Sequence, residues 1–138
     1  MNLSIEVVLN IRFSDTDAMG VVWHGNYLRF FEDGREEFGK QFGLEYLDMY
    51  HDGYFTPIVK SEINHKSPIY YGDKVKVIIT HIPQRSAKLV FEYKIVNIDS
   101  GVISATGKTI QVFLTVKERV LELNTPEFYQ NWKNKYIK

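Results

Sequence analysis

From Leu3 to Phe13 every odd position is apolar, and of the even positions only Val8 breaks the polar alternation. A period of two predicts a strand with one buried face. The period changes after a loop at 14–23: Tyr27, Phe30, Phe31, Gly34, Phe38 and Phe42 recur at helical spacing and predict a long amphipathic helix. Gly43 is placed to end that helix as a left-handed cap, and Gly34 on its apolar face predicts close approach to a sheet.

Residues 44–52 read as a short second helix with Leu44, Leu47 and Tyr50 on one face, closed by Gly53. A strand is expected over 58–66, ended by Ser67-Pro68 because proline cannot donate to a ladder. After a turn at Tyr71-Gly72-Asp73, strands are expected over 74–82, 88–98 and 102–116, the last two joined by Asp99-Ser100-Gly101. These three form a meander. A final helix begins with Thr125 as its cap and Pro126 in its first turn, and carries Phe128, Trp132 and Tyr136 on one face.

Strand, long helix and four further strands imply an α+β fold: a five-stranded antiparallel sheet with the long helix against one face and a C-terminal helix added. The strands are apolar enough that the sheet is expected to pair with another subunit, giving a homodimer or homotetramer. At 138 residues the chain is expected to be a single domain over 1–138. The 20 aromatic residues are expected mainly in a core or a subunit interface.

Lysine plus arginine and aspartate plus glutamate number 17 each, so no net field recommends nucleic acid or an anionic membrane as partner. Cysteine is absent, which removes thiol catalysis, thiolate metal sites and disulfides. The first residues lack a basic flank and a long apolar core, and no run approaches the ~18–20 apolar residues of a membrane span, so a cytoplasmic protein is expected. His51, His65 and His81 lack metal-ligand spacing, and no G-x-S-x-G elbow occurs.

Chemistry concentrates where the loop meets the long helix. A helix N-terminus carries unpaired N–H groups and a partial positive charge, and can polarise a carbonyl. Asp17, seven residues before His24, can fold back to face that carbonyl's carbon. Such a pair suits hydrolysis of an activated acyl group. Asp15 is assigned to hydrogen bonding within the loop. Glu32, Asp33, Arg35, Glu36 and Glu37 form the helix's polar face, where a glutamate near an acyl pocket would also set substrate polarity.

The run Phe13-Ser14-Asp15-Thr16-Asp17-Ala18-Met19-Gly20-Val21-Val22-Trp23-His24-Gly25-Asn26-Tyr27 resembles the active-site signature of hotdog-fold acyl-CoA thioesterases of the 4-hydroxybenzoyl-CoA thioesterase type, which include bacterial thioesterases associated with the Tol–Pal system. The Asp-x-Asp pair, the Gly-Val-Val run and the Asn-Tyr opening of the helix carry the likeness. It continues through Pro57-Ile58-Val59, the 67–73 connection and the 85–91 region. Thr16, Met19 and Gly25 depart from the commonest pattern, and His24 stands where some members have tyrosine.

The resemblance implies that Asp17 is the catalytic carboxylate and that backbone amides at His24 and Gly25 hold the thioester oxygen. Two roles stay open for Asp17: nucleophile forming a mixed anhydride, or general base on water. Two also stay open for His24, whose ring could donate a proton or whose backbone alone could act. Tyr27, Phe30 and Phe31 belong either to the core or to an acyl pocket, with Tyr27 the candidate substrate contact. Coenzyme A brings phosphates, for which Arg85, Lys88 and Lys60 are the candidate contacts, with Lys66 beside Lys60.

The implied reaction is hydrolysis of an acyl-CoA to a free acid and CoA, requiring no metal or organic cofactor. The rivals are hydrolysis of acyl groups on acyl carrier protein, a module that binds acyl-CoA without cleaving it, and a hydratase, which would need its Asp and His in a different local motif.

Overall fold

A computed structural model describes residues 2–137; the first and last residues of the expected 1–138 domain lie outside the described range. The first strand, β1 (Ser4–Asn10), is shorter than the alternation predicts. Ile11 is buried, but Phe13 enters a 3₁₀ turn (Phe13–Asp15) and stands 77% exposed, its ring edge-on to Tyr71. The Ile11 N–H still continues the ladder register by donating to the Asp73 carbonyl, and the pairing ends there because the Asp73 N–H turns back to the Tyr70 carbonyl.

A second 3₁₀ turn (His24–Asn26) leads into α1 (Tyr27–Phe42). Phe30, Phe31 and Phe38 lie in the core, and Gly43 ends the helix with φ 77°, donating its N–H to Gly39. In α2 (Tyr46–His51), Glu45 and Asp48 form a capping box that starts the helix at Tyr46. That start turns Met49 inward and leaves Leu47 and Tyr50 exposed, correcting the expected buried face; Leu44 is buried ahead of the helix.

The remaining strands are β2 (Tyr54–Phe55), β3 (Ile58–His65), β4 (Lys74–Ile82), β5 (Lys88–Asn97), β6 (Ile103–Val112) and β7 (Leu114–Thr115). The main sheet has the order β1-β4-β5-β6-β3, antiparallel throughout, with the meander β4-β5-β6 at its centre and β1 and β3 as edges. Wrapped around α1, this is the hotdog arrangement. The single strand expected over 102–116 is broken at Phe113, which is fully buried, and β7 leaves to pair with β2.

Two glycines let the helix seat on the sheet. A Cβ on Gly34 would enter the Ile79 side chain, and one on Gly107 would enter the Phe31 ring. Phe31 stacks on Tyr93 with ring centroids 4.2 Å apart and planes at 10°. The helix therefore rides directly on β4, β5 and β6.

The last helix, α3 (Glu127–Tyr136), is capped at Pro126, and Thr125 makes no side-chain cap, so the expected capping role is not realised. Its Trp132 Nε1–H donates to the Phe42 carbonyl at 2.7 Å, satisfying an end carbonyl of α1. Beneath it His81 is fully buried among Phe38, Phe91, Tyr129 and Trp132. Its Nε2 shares a 2.7 Å hydrogen bond with Tyr129 Oη, and Nδ1 has no partner among the described residues.

Burial, with a smaller contribution from Lys133, pushes the His81 pKa down to about 4. The unfolded chain takes up this proton near pH 6.5 and the folded one does not, so stability falls as pH drops from about 6.5 towards about 4. The expected loss is on the order of 3 kcal/mol. Urea unfolding of wild type and His81→Leu across pH 4–8 checks this: the pH dependence of their unfolding free energies should differ below about pH 6.5 and become parallel above pH 7, and parallel curves throughout would refute it.

Candidate active site

Residues 16–22 form a small hairpin. Thr16 bridges Val22, the Asp17 N–H donates to the Val21 carbonyl, and Gly20, at φ 80°, donates to the Asp17 carbonyl. Val21 bridges Tyr70, and the Val22 N–H donates to Ile69 at 2.7 Å, strapping the hairpin to the segment before β4.

Asp15 joins this hairpin to the helix. It is 3% exposed, its carboxylate accepts from the Arg12 N–H at 2.8 Å, and it is ion-paired with Arg29 of α1. Its backbone carbonyl accepts from the Trp23 N–H at 2.9 Å and Asn26 Nδ2 at 2.8 Å. One residue thus clamps both sides of the loop to the first turn of α1. Loop hydrogen bonding is the role expected for Asp15; the pairing with Arg29, 14 positions away, has no local signal in the sequence.

With Asp15 so engaged, Asp17 is the carboxylate left open. It is half-buried, one oxygen accepts from the Met19 N–H at 2.8 Å, and Oδ2 has no hydrogen-bond partner among the described residues. The N–H groups of His24 and Gly25 begin the 3₁₀ turn and donate to no carbonyl among the described residues, as the geometry of a helix start requires. The His24 ring is exposed beside Trp23, with centroids 5.2 Å apart. The Trp23 ring occupies the space a Cβ on Gly25 would need.

Tyr27 is buried in the core, its ring 4.6 Å from that of His65 at the end of β3, and burial raises its pKa. Lys60 lies on the β3 edge, ion-paired with Glu62 at 2.9 Å. Lys66 is exposed just beyond that strand. Arg85 and Lys88 are exposed in the connection between β4 and β5 and at the start of β5.

That connection belongs to the other end of the molecule, where Lys133 of α3 donates to the Gln84 carbonyl. Sixteen helical residues span about 24 Å. Within one chain, Asp17, His24, Gly25 and Tyr27 gather at the start of α1, and Arg85 and Lys88 do not join them. Among the described residues no cluster of His, Asp and Glu has the geometry of a metal site, and no helix is long and apolar enough to cross a membrane.

The sequence pattern of the Thioesterase-like superfamily matches residues 11–133. YneP of Bacillus subtilis is 30% identical over 130 residues, covering 94% of this chain and 93% of its own. The 1,4-dihydroxy-2-naphthoyl-CoA hydrolase of Thermosynechococcus vestitus is 31% identical over 112 residues, 79% of this chain and 75% of that one. Among solved structures, a DHNA-CoA thioesterase from Staphylococcus aureus superposes with a TM-score of 0.85 at 28% identity, covering 96% of this chain and 88% of that one. With its sheet wrapped around α1 and its signature loop clamped at the helix start, the chain belongs to the Thioesterase-like superfamily and is a thioester hydrolase of hotdog fold.

Proposed function

We infer that this protein hydrolyses an acyl-CoA thioester to a free acid and CoA, in the manner of the 4-hydroxybenzoyl-CoA thioesterase type. The observation that carries the reading is the Asp15 clamp, which ties an open carboxylate, Asp17, to a helix start whose first amides are uncommitted. The thioester oxygen takes the His24 and Gly25 N–H groups, which stabilise the negative charge that develops on it. Asp17 then either attacks the carbonyl carbon, expelling CoA as the thiolate and leaving a mixed anhydride that water hydrolyses to the free acid, or withdraws a proton from an attacking water as CoA leaves as the thiolate.

The working unit is a homodimer in the cytoplasm. β3 is an edge strand exposed along most of its length, with Ile58 and Val59 outward, and such an edge invites pairing. Antiparallel pairing of two β3 edges about a twofold axis sets the Ile58 end of one chain against the His65 end of the other. The Arg85 and Lys88 region of one protomer then approaches the Asp17 end of its partner, where these cations meet the CoA phosphates.

Thiol release followed with a thiol-reactive dye, over benzoyl-, short-chain and long-chain acyl-CoAs, tests the reaction. Release on part of the panel supports it and brackets the pocket. No release on any CoA ester, with release from an acylated carrier protein, would transfer the activity to that substrate.

A further inference from the structure

The His24 ring is exposed and Gly25 has no side chain, so the direction of their amides is set by the residues that flank them. The Trp23 N–H donates to the Asp15 carbonyl at 2.9 Å, and Asn26 Nδ2 donates to the same oxygen at 2.8 Å. One carbonyl oxygen therefore holds both flanks of the amide pair.

That oxygen is held in place through the side chain of its own residue. The Asp15 carboxylate is buried, and a buried carboxylate is kept there by a counter-charge and hydrogen bonds. The Arg12 N–H supplies one hydrogen bond, but the Arg12 guanidinium is exposed and lies 3.8 Å away. Arg29 supplies the counter-charge directly, with Nη2 on Asp15 Oδ1. Arg29 is itself fixed: its backbone belongs to the first turn of α1, and its guanidinium lies 5.1 Å from the centroid of the buried Phe30 ring. A continuous path of contacts thus runs from Arg29 through Asp15 to both flanks of the amides.

We propose that Arg29 is a positioning residue for the reaction: by holding the buried Asp15 carboxylate, it sets the His24 and Gly25 amides where the thioester oxygen docks. The inference rests on the thioesterase reading and deepens it, since Arg29 acts through Asp15 and needs no contact with the substrate. Without its cation the carboxylate moves towards water, which turns the Asp15 carbonyl away from Trp23 and Asn26. Donors to a developing oxyanion work only at hydrogen-bond distance, so a displacement of about 1 Å is costly.

The test compares wild type, Arg29→Met and Arg29→Lys on the acyl-CoA that the wild type cleaves fastest, at a temperature where urea unfolding shows each variant folded. Arg29→Met should lower kcat by about 10- to 100-fold with KM changed by less than about twofold, because bound substrate meets misplaced amides. Arg29→Lys keeps a cation for Asp15 and should recover most of that loss. Isotope-edited infrared spectroscopy reads the amides without turnover. The carbonyl stretch of the same ester bound to Asp17→Asn should lie below its frequency in water, and adding Arg29→Met should return it most of the way.

A folded Arg29→Met with wild-type kcat, a rise in KM alone, Arg29→Lys no better than Arg29→Met, or a bound carbonyl frequency that Arg29→Met leaves unchanged would each overturn the inference and leave the thioesterase reading standing. If Arg29→Met does not fold, Arg29→Gln takes its place, since its amide can still donate to Asp15 without the charge; wild-type kcat in that variant would equally overturn the inference. No thiol release by the wild type from any ester would overturn both.

Discussion

Asp17→Asn should lose thiol release by about 10²–10⁴-fold while folding as the wild type does. The substitution separates two functions of one side chain. Asparagine retains an Oδ1 that can accept the Met19 N–H, so the hairpin keeps its 2.8 Å contact. What it loses is the charge and basicity at Oδ2, the atom with no partner among the described residues. Near-normal turnover in Asp17→Asn would reduce the residue to a loop-forming role, and the carboxylate would have to be sought elsewhere. Asp15 is a poor replacement, since Arg12 and Arg29 already occupy its oxygens.

Phe31→Ala should cost about 3–5 kcal/mol of stability. Phe31 is fully buried, stacks on Tyr93, and lies where Gly107 lacks a Cβ. Its truncation leaves a hole between α1 and the centre of the sheet, at a place where both partners are held by backbone and cannot collapse inward. Urea unfolding should show a lower midpoint with an unchanged slope. Gly107→Ala should also destabilise, because the new Cβ would meet the Phe31 ring and would sit 2.7 Å from the Glu62 carbonyl. In the double variant the ring clash disappears and the carbonyl clash remains. The combined cost should therefore fall short of the sum. An additive double variant would mean that Phe31 and Gly107 do not share one contact.

Elements whose evidence lies within a turn or a strand were legible from the chain. Gly43 ends α1 with the left-handed conformation expected of it, Gly34 meets the sheet, and the meander follows the expected order. Where a local pattern competes with a distant partner, the partner wins. Phe13 obeys the alternation yet is exposed, because the ladder ends at the Ile11–Asp73 pair, where the Asp73 N–H turns back to Tyr70. Phe113 continues an apolar run yet breaks the strand, because its ring is required in the core beside Phe128 and Tyr129.

The candidate site divides the same way. Residue order and periodicity determined by themselves that a loop with two aspartates precedes a long helix buried against an antiparallel sheet, because strand alternation, helical spacing and caps depend on neighbours a few positions apart. Only the tertiary structure decided that Asp15 is clamped by Arg29 of the helix, that Arg85 and Lys88 lie away from the helix start that holds Asp17, and that Gln111 holds a buried acceptor without a donor among the described residues. Those outcomes depend on pairs such as Asp15 with Arg29, met where the loop packs on α1, and Gln111 with Thr56, set side by side by the β3–β6 pairing, across 14 and 55 positions of chain.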